Sequence, residues 1–328
     1  MIEVYSNSKI YVMCPPQTAT GGPELLHQLV YKLNLQGFDI SMYYYPAMEN
    51  PVHENYLKYN CRFVTSIEDN PSNVLIIPEA LLFRAAEFKQ IRKCIWWLSI
   101  DNLFKAPLAP RELKIFKKLG WETLYRYSVI MGKVKGKFTY HLAQSYYAVD
   151  YLKKRGIHAG YLSDYLNAAY LEESRKIATF DKVPKVLYNP KKGYEFTQKI
   201  MAALPEVEWV PLIGLKPVEV AALLRVAMLY IDFGEHPGKD RFPREAAIYR
   251  CCVITGKKGS SAYYEDVSIP DEYKIADKEV NIPEIARMIR ACLSEYNTRV
   301  NDFDVYRDKI YQEEVRFEKD LNTVFLKV

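Results

Sequence analysis

The sequence contains no CxxC pair, no apolar run long enough to cross a membrane and no secretory signal. Its six cysteines are dispersed, and most fall in or beside predicted strands and helices, which is typical of buried thiols in a reducing compartment. Neither a disulfide framework nor a cysteine-based zinc site is expected. We expect a cytoplasmic protein, and we leave open whether it works at the inner face of the membrane.

A strong excess of either charge is also missing, because the formal net charge is only +5. That charge is too weak and too dispersed to predict binding to nucleic acid. It is compatible with a position near anionic phosphates or lipid headgroups. We therefore expect no nucleic-acid partner, and we leave peripheral membrane contact and the oligomeric state open.

Motifs for metal binding and for nucleophilic catalysis are absent too. The five histidines show neither HxH nor HExxH spacing, and no nucleophile elbow is present. The DxD motif at residues 302–304 lies in a predicted helical region away from any strand end, so we interpret it as surface. The sequence therefore predicts no metal ligand and no bound cofactor.

What is present is a regular alternation of predicted strands and helices in both halves of the chain. A length of 328 residues exceeds one ordinary hydrophobic core, so two domains are expected. We predict an α/β protein with two doubly wound Rossmann-like domains that face a cleft. The predicted parts are residues 1–166, residues 167–300, and a C-terminal helix at 301–328 that crosses back to the first domain.

The first half begins with a predicted strand, a turn, an amphipathic helix and a second strand. The turn contains Gly21 and Gly22, which permit a ligand to approach the backbone closely but are also compatible with a simple tight turn. Further along, Asp101 follows an apolar strand, where it is placed either for ligand contact or for an Asx turn. The basic stretch 105–137, with a helix expected at 111–119, is read as solvated surface; a face for an acidic acceptor or a membrane stays open.

The stretch that organises the second half is residues 230–262. A buried strand at 228–233 leads into a polar loop at 234–243, then a helix, a second strand at 251–255 and a Gly-Ser loop. In parallel sheets, ligands bind beyond the carboxyl ends of the strands, and free N–H groups at helix starts and in Gly-Ser loops favour a phosphate. The candidate residues of this stretch are Glu235, His236, Lys239, Arg241, Arg244, Glu245 and Ser260.

A second basic loop is predicted at the same sheet edge. Lys191 and Lys192 follow the strand predicted at 185–188. Lys and Arg suit charge-assisted bonds to phosphate, so these side chains would supply positive charge where no metal is predicted. A mixed-charge solvated loop is the plainer alternative, but the position at the ligand-binding edge favours a site.

Three of these motifs together resemble GT-B glycosyltransferases, and most closely their retaining, glycogen-synthase-like branch. The sequence Gly21-Gly22-Pro23-Glu24 before an amphipathic helix resembles the first βαβ unit of that family. Lys191-Lys192-Gly193 resembles its KG loop, whose basic residue contacts the donor pyrophosphate. Arg244-Glu245-Ala246-Ala247 resembles the segment whose glutamate binds the nucleotide ribose. The resemblance covers nearly the whole chain, and it implies that residues 1–166 form an acceptor-side domain and residues 167–300 a nucleotide-sugar donor domain.

The resemblance implies a metal-independent sugar transferase that uses a nucleotide-sugar donor, with a UDP-sugar as the expected donor, and a carbohydrate or lipid-linked acceptor. Surface polysaccharide or glycolipid synthesis is the expected setting. Asp101, Glu235 and His236 are the catalytic candidates. Gly21, Gly22 and Ser260 join the basic residues and Glu245 as candidates for donor binding.

One departure from the family keeps two alternatives open. The family has a pair of glutamates at a fixed spacing, and counting back from Glu245 leads to Pro237. The missing acid favours a non-catalytic GT-B-like subunit that binds a partner enzyme. A nucleotide-sugar epimerase or hydrolase on the same fold is the other alternative, and the stereochemical outcome is left open.

Overall fold

The computed structural model describes residues 1–105, 132, 134, 136, 138–176 and 181–328. The helix predicted at 111–119 lies outside the described residues. The chain divides into two compact units, Met1–Asp164 with Phe317–Val328, and Tyr165–Arg316. The acceptor-side and donor-side roles expected of two domains stay predictions.

The first unit is built on a parallel sheet, whose described strands run in the order β4-β3-β2-β5-β6-β7-β8. The chain winds outward from β2 in one direction and returns to β5 for the other, which is the doubly wound arrangement with its topological switch point between β2 and β5. The strands β2 and β5 are wholly buried, as expected of parallel strands covered on both faces. The bounds are β2 Ile10–Cys14, β3 Ile40–Tyr44, β4 Phe63–Val64, β5 Val74–Pro78, β6 Arg92–Trp97, β7 Tyr140–Ala143 and β8 Gly160–Tyr161.

The helices of this unit follow the predicted pattern with one shift at the first of them. The helix α1 begins at Gly21, so the glycine pair forms its first turn instead of a separate loop. Thr20 is extended and precedes the helix, and Pro23 is tolerated because a first-turn N–H has no partner within the helix. The bounds are α1 Gly21–Leu35, α2 Ile100–Lys105 and α3 Tyr146–Lys153, with 3₁₀ turns at Glu54–Tyr59 and Glu79–Glu87.

The second unit contains a smaller parallel sheet, with its described strands in the order β10-β9-β11-β12. Its switch point lies between β9 and β11, which pair in parallel from Ala227↔Val183 to Ile231↔Tyr188. The core is formed by the sheet and its helices, with Leu187, Ile231 and Ile254 fully buried or nearly so. The strand bounds are β9 Val183–Tyr188, β10 Glu208–Pro211, β11 Ala227–Asp232 and β12 Cys252–Thr255.

Helices cover this second sheet. The bounds are α4 Ala168–Lys176, α5 Tyr194–Ala202, α6 Pro217–Val226, α7 Arg241–Ile248, α8 Ile282–Ser294, α9 Tyr296–Arg299 and α10 Asp304–Tyr311, with 3₁₀ turns at Gly259–Ala262, Asp271–Tyr273, Glu279–Asn281 and Val300–Phe303. The last helix, α11 (Glu313–Val324), begins in this unit, and its residues from Phe317 onward belong to the first unit.

The C-terminus differs from the single long helix that the sequence predicts. The helical stretch breaks at Gln312 into α10 and α11, and the chain ends in a strand, β13 (Phe325–Lys327). This strand pairs in parallel with β1 (Ile2–Val4), which the sequence did not predict. The reason is that Phe325 is buried against the ring of Phe38, and Lys327 Nζ donates to the carbonyl of Gln36 at 2.7 Å.

Among the described residues, none of the helices combines the length and the apolar character that a membrane span requires. The predicted α/β class with doubly wound parallel sheets is confirmed.

Candidate functional site

Two loops meet at the switch point of the second sheet. We call residues 189–193, which follow β9, and residues 233–240, which follow β11, the switch-point loops. In the first of them, the Asn189 side chain accepts from the Lys191 N–H at 3.0 Å and fixes the turn. Lys191 is exposed and Lys192 is half-buried. The turn therefore presents two basic side chains at the carboxyl edge of the sheet.

The switch-point loops and the loop after β12 pack backbone against backbone. A Cβ added at Gly193 would lie 2.3 Å from the Phe233 carbonyl oxygen, and one added at Gly234 would lie 2.3 Å from Lys192 Cβ. A Cβ at Gly259 would lie 2.0 Å from the carbonyl oxygen of His236. Such approaches exclude every residue except glycine, so these three positions set the shape of the edge.

The helix that leaves the second switch-point loop starts earlier than predicted. The sequence placed Arg244 and Glu245 in its first turn, but α7 begins at Arg241 because Pro243 sits inside the first turn, where a missing N–H costs nothing. Asp240 occupies the N-cap position without making a side-chain capping bond. The first N–H groups of α7 are therefore not capped by that carboxylate, which suits a helix start that receives an anion.

One ion pair joins the first and second turns of this helix. Arg241 Nε is 3.4 Å from Glu245 Oε1, one helical turn away. The Arg241 side chain is 25% exposed and the Glu245 side chain 7% exposed. A cation and a carboxylate thus stand together just past the switch point.

Two predicted phosphate ligands have a partner deeper in the second unit. Arg244 is fully buried, and its Nη1 donates to Glu313 Oε2 at 2.9 Å. Lys239 Nζ lies 2.7 Å from the other oxygen of Glu313. Arg244 also donates to the carbonyls of Lys239 and Asp240. In this structure both cations hold the loop to the start of α11, and their contact with a phosphate stays a prediction.

His236 is also buried, between two carboxylates. Its Nδ1 lies 2.9 Å from Asp240 Oδ2 and its Nε2 lies 3.5 Å from Asp232 Oδ1. The distance from Nδ1 to Asp240 is in the hydrogen-bonding range, and the distance from Nε2 to Asp232 is longer. Lys192 Nζ donates to the same Asp240 oxygen at 2.7 Å.

Within the described part of the chain, the side chains of Asp232, His236 and Asp240 lie close enough together to hold a metal ion. An ion there would have to displace the Lys192 ammonium from Asp240. It would also need one ring nitrogen of His236, although the ring points a different nitrogen at each carboxylate. The donor set fits a chain of charges better than a metal centre.

The two remaining candidates of the second unit have other partners. Glu235 is exposed and its carboxylate lies 3.1 Å from Lys258 Nζ. Ser260 is fully buried; its N–H donates to the His236 carbonyl at 2.8 Å and its Oγ to the Gly238 carbonyl at 2.7 Å. The N–H and the hydroxyl of Ser260 are therefore both used within the protein, and its role in donor binding stays a prediction.

The other predicted site residues belong to the first unit. Gly21 and Gly22 open α1 beyond the end of β2, and Thr20 makes no side-chain cap there. Asp101 lies in the first turn of α2, where it accepts from the Tyr147 hydroxyl at 3.0 Å. The structure therefore brings the second-unit candidates together and places these three residues elsewhere in the chain.

Sequence reasoning missed Glu79, which follows β5 at the switch point of the first sheet. Its carboxylate is buried and accepts from the Leu98 N–H at 2.9 Å. Burial raises the pKa of Glu79 to about 7, against the opposing effect of the backbone N–H groups around it. The available signal was an acid directly after the apolar run of β5.

Comparisons with known proteins bear on the fold. No family model matches the sequence, and no curated protein matches it either. Solved structures do match. HepE from Anabaena, crystallised with UDP, superposes with a TM-score of 0.64 at 10% identity, covering 96% of this chain and 99% of that chain. It has also been crystallised with UDP-glucose.

Two further structures agree over almost the same length. Sucrose-phosphate synthase from Thermosynechococcus elongatus gives a TM-score of 0.67 at 11% identity, covering 97% of this chain and 98% of that chain. A glycosyltransferase from Rickettsia africae gives 0.57 at 12% identity, covering 97% of both chains. This chain has the GT-B fold. The fold expected from the sequence resemblance is confirmed, and at these identities the fold is what the proteins share.

Proposed function

We propose that this GT-B protein transfers a sugar from a UDP-sugar to an acceptor, with the donor bound at the carboxyl edge of the second sheet. The observation that carries the proposal is the convergence of basic side chains, close-packed glycine loops and a helix start at one topological switch point. HepE, with the same fold, has been crystallised with UDP and with UDP-glucose, which supports the choice of nucleotide.

In this proposal the diphosphate contacts Lys191, Lys192 and Arg241. These three lie at the edge and are exposed or half-buried. The starts of α5 and α7 add N–H groups that favour negative charge. Glu245, next to Arg241, accepts from ribose hydroxyls, because a carboxylate beside the phosphates themselves would repel them.

The chemical contribution of these groups is electrostatic. Negative charge grows on the diphosphate as the sugar leaves, and cations already in place stabilise it without a metal ion. Such preorganised stabilisation is often the largest catalytic contribution, and one lost donor costs about 3 kcal/mol in a typical enzyme. We therefore propose turnover that does not depend on a divalent metal.

The acceptor is proposed to be a carbohydrate or a lipid-linked saccharide, in surface polysaccharide or glycolipid synthesis. In the first unit, Gly21 and Gly22 remain candidates for donor binding and Asp101 remains a catalytic candidate. Glu79 joins them because it is a buried carboxyl group at that unit's switch point and its pKa is near neutrality. A peripheral position at the inner membrane face is part of the same proposal.

A non-catalytic subunit is the second candidate, and one observation favours it. Pro237 stands where the related enzymes carry the first glutamate, and the neighbouring Lys239 is neutralised by Glu313. A protein of this kind would bind UDP without turning over a UDP-sugar.

Thermal shift followed by a turnover assay separates these candidates. The chain is melted with UDP, GDP, CMP and UDP-glucose; ligand at 100 times its Kd stabilises by about 2.7 kcal/mol. Stabilisation by UDP and UDP-glucose alone supports the donor class, and UDP release with a panel of free and lipid-linked saccharides supports transfer. Binding without UDP release would favour the non-catalytic subunit, and no stabilisation by any nucleotide would refute both.

A further inference from the structure

Four charged groups form a series that begins at two buried side chains, Asp232 and His236, and ends at two half-buried ones, Asp240 and Lys192. Asp232 ends β11, His236 and Asp240 lie one turn apart in the second switch-point loop, and Lys192 comes from the first. The links are Asp232 Oδ1 to His236 Nε2 at 3.5 Å, His236 Nδ1 to Asp240 Oδ2 at 2.9 Å, and Asp240 Oδ2 to Lys192 Nζ at 2.7 Å. These four charged groups therefore connect the core of the sheet to a candidate phosphate ligand.

The arrangement of His236 fixes its charge. Each ring nitrogen faces a different carboxylate, and both nitrogens carry a proton only in the imidazolium form. A neutral ring would turn a lone pair toward one of the carboxylates. His236 is 0% exposed, so no water would screen that repulsion.

The groups around Asp232 and His236 agree with a charged imidazole ring at His236. Asp232 accepts from the Tyr230 hydroxyl at 2.9 Å and from the Gly234 N–H at 3.0 Å, which fixes the position of its carboxylate beside the ring. With an imidazolium, the positive charges of His236 and Lys192 balance the two carboxylates. With a neutral ring, one buried negative charge would be left without compensation.

We propose that His236 is a positioning residue, a protonated link that holds Asp240 and through it sets Lys192 at the donor edge. This replaces the catalytic role expected from the sequence, and it rests on the proposed function only for what Lys192 contacts. No proton transfer to substrate is involved, because the ring is enclosed by protein on every side.

The pKa of His236 predicts how the stability contributed by this link changes with pH. Burial lowers the pKa of His236, but Asp232 and Asp240 raise it by more, so that it lies above the ordinary value despite the opposing effect of Lys192. The stabilisation from this link is therefore fully present below pH ~6.5 and is lost as pH rises through the folded-state pKa. Burial raises the pKa of Asp240, but His236 and Lys192 lower it by more. Protonation of Asp240 would therefore break the link only in acid.

The first experiment measures the charge of His236 without any ligand. The full chain is labelled with ¹⁵N and ¹³C in histidine, and its five imidazoles are titrated by NMR, with His236→Gln identifying one signal. We expect that signal to remain imidazolium at pH 7.5, where His27 and His141, whose pKa values burial lowers, are neutral. If His236→Gln does not fold, variants of the other four histidines assign the signal by elimination.

Two added conditions make the ligand-free test specific. Asp232→Asn should move the titration of His236 to lower pH, whereas Asp271→Asn, at an exposed carboxylate, should not. Adding Mg²⁺ or Zn²⁺ to the wild type should leave the signal unchanged. A neutral His236 at pH 7, or a signal that a metal ion shifts at equimolar amounts, would overturn the proposal.

The second experiment measures the consequence at the donor edge. UDP affinity is determined by calorimetry from pH 6 to 9 for the wild type, His236→Gln and His158→Gln, an exposed control. His236→Gln should weaken UDP about tenfold at pH 7, equivalent to ~1.4 kcal/mol, and should remove the pH dependence associated with the His236 titration. Unchanged affinity and pH profile in His236→Gln would overturn the positioning role.

The two experiments keep this proposal apart from the proposed function. An imidazolium at His236 in a chain that does not bind UDP would retain the charged link and refute the donor site. UDP binding by a chain whose His236 is neutral would retain the donor site and refute the link.

Discussion

The ion pairs of Glu313 permit a quantitative test of what holds the second switch-point loop. The Glu313 carboxylate lies opposite both Lys239 and Arg244, at 2.7 and 2.9 Å. The side chains are 9%, 8% and 0% exposed, so all three charges are largely removed from water. Glu313→Gln keeps the shape of the side chain and removes its charge, which leaves two buried cations opposite a neutral amide.

The expected loss follows from this burial. Removing one partner of a buried ion pair costs about 3–5 kcal/mol. Lys239 lies near enough to the surface to recover some hydration, and the amide oxygen still accepts one bond, so we expect about 3 kcal/mol. For a domain of 150–250 residues, 1 kcal/mol lowers Tm by about 2–4 °C, which gives a fall of roughly 6–12 °C for the second unit.

The assay is differential scanning calorimetry at pH 7, with Glu279→Gln as the matched control. Glu279 pairs with Lys199 on the surface and is 74% exposed, so its loss should change stability by less than about 1 kcal/mol. Arg244→Met combined with Glu313→Leu should destabilise by at least ~1 kcal/mol less than the sum of the single changes, because the two residues are in contact. Equal effects of Glu313→Gln and Glu279→Gln would refute the account of the loop.

Three further predictions concern other parts of the molecule. Glu79→Gln should stabilise the protein by about 1–3 kcal/mol at pH 8 and by almost nothing at pH 4. The reason is that the pKa of Glu79 is raised from 4.5 to about 7 in the folded state, so the wild type loses stability as pH rises between these values. Urea unfolding at both pH values checks this. Gly193→Ala should lower Tm and weaken UDP binding together, because its Cβ would collide with the Phe233 carbonyl. Gly214 also has a positive φ, but no atom lies near the position of its Cβ, so Gly214→Ala should lower Tm alone. Turnover should survive EDTA, and strict dependence on Mg²⁺ or Mn²⁺ would contradict the metal-free proposal.

Much of the fold could be predicted from the sequence because its signals are local. The strand at 74–78, for example, is an apolar run between Asn73 and Glu79. The loops after β9 and β11 were expected at one edge, and the two strands are neighbours in the sheet. Alternation of strands and helices was sufficient to predict both sheets.

Helix starts were less predictable where proline was involved. Pro23 and Pro243 were interpreted as the last residues before a helix, but each lies inside a first turn. A proline is tolerated both in the first turn of a helix and just before it, so the sequence alone leaves the first residue of the helix uncertain by about three positions.

The partners of buried charges could not be predicted, because they depend on long-range packing. Arg244 resembles a ligand residue in sequence, yet its partner Glu313 comes from a helix that starts far along the chain. His236 was singled out correctly as unusual, but only the structure shows a carboxylate at each ring nitrogen. A motif predicts which loop lies at the edge of a sheet, whereas three-dimensional packing decides which of its side chains remain available.

The central claim is that the switch-point loops and α7 bind the diphosphate of UDP. Isothermal titration of UDP into the wild type, Lys192→Ala, Arg241→Ala and Glu245→Ala tests it directly, with Lys199→Ala as a control on the adjoining helix α5. The account predicts binding by the wild type and by Lys199→Ala, and a Kd about tenfold or more higher in each of the other three variants, with melting temperatures changed by only a few degrees. Wild-type affinity in Lys192→Ala, Arg241→Ala and Glu245→Ala would contradict the claim.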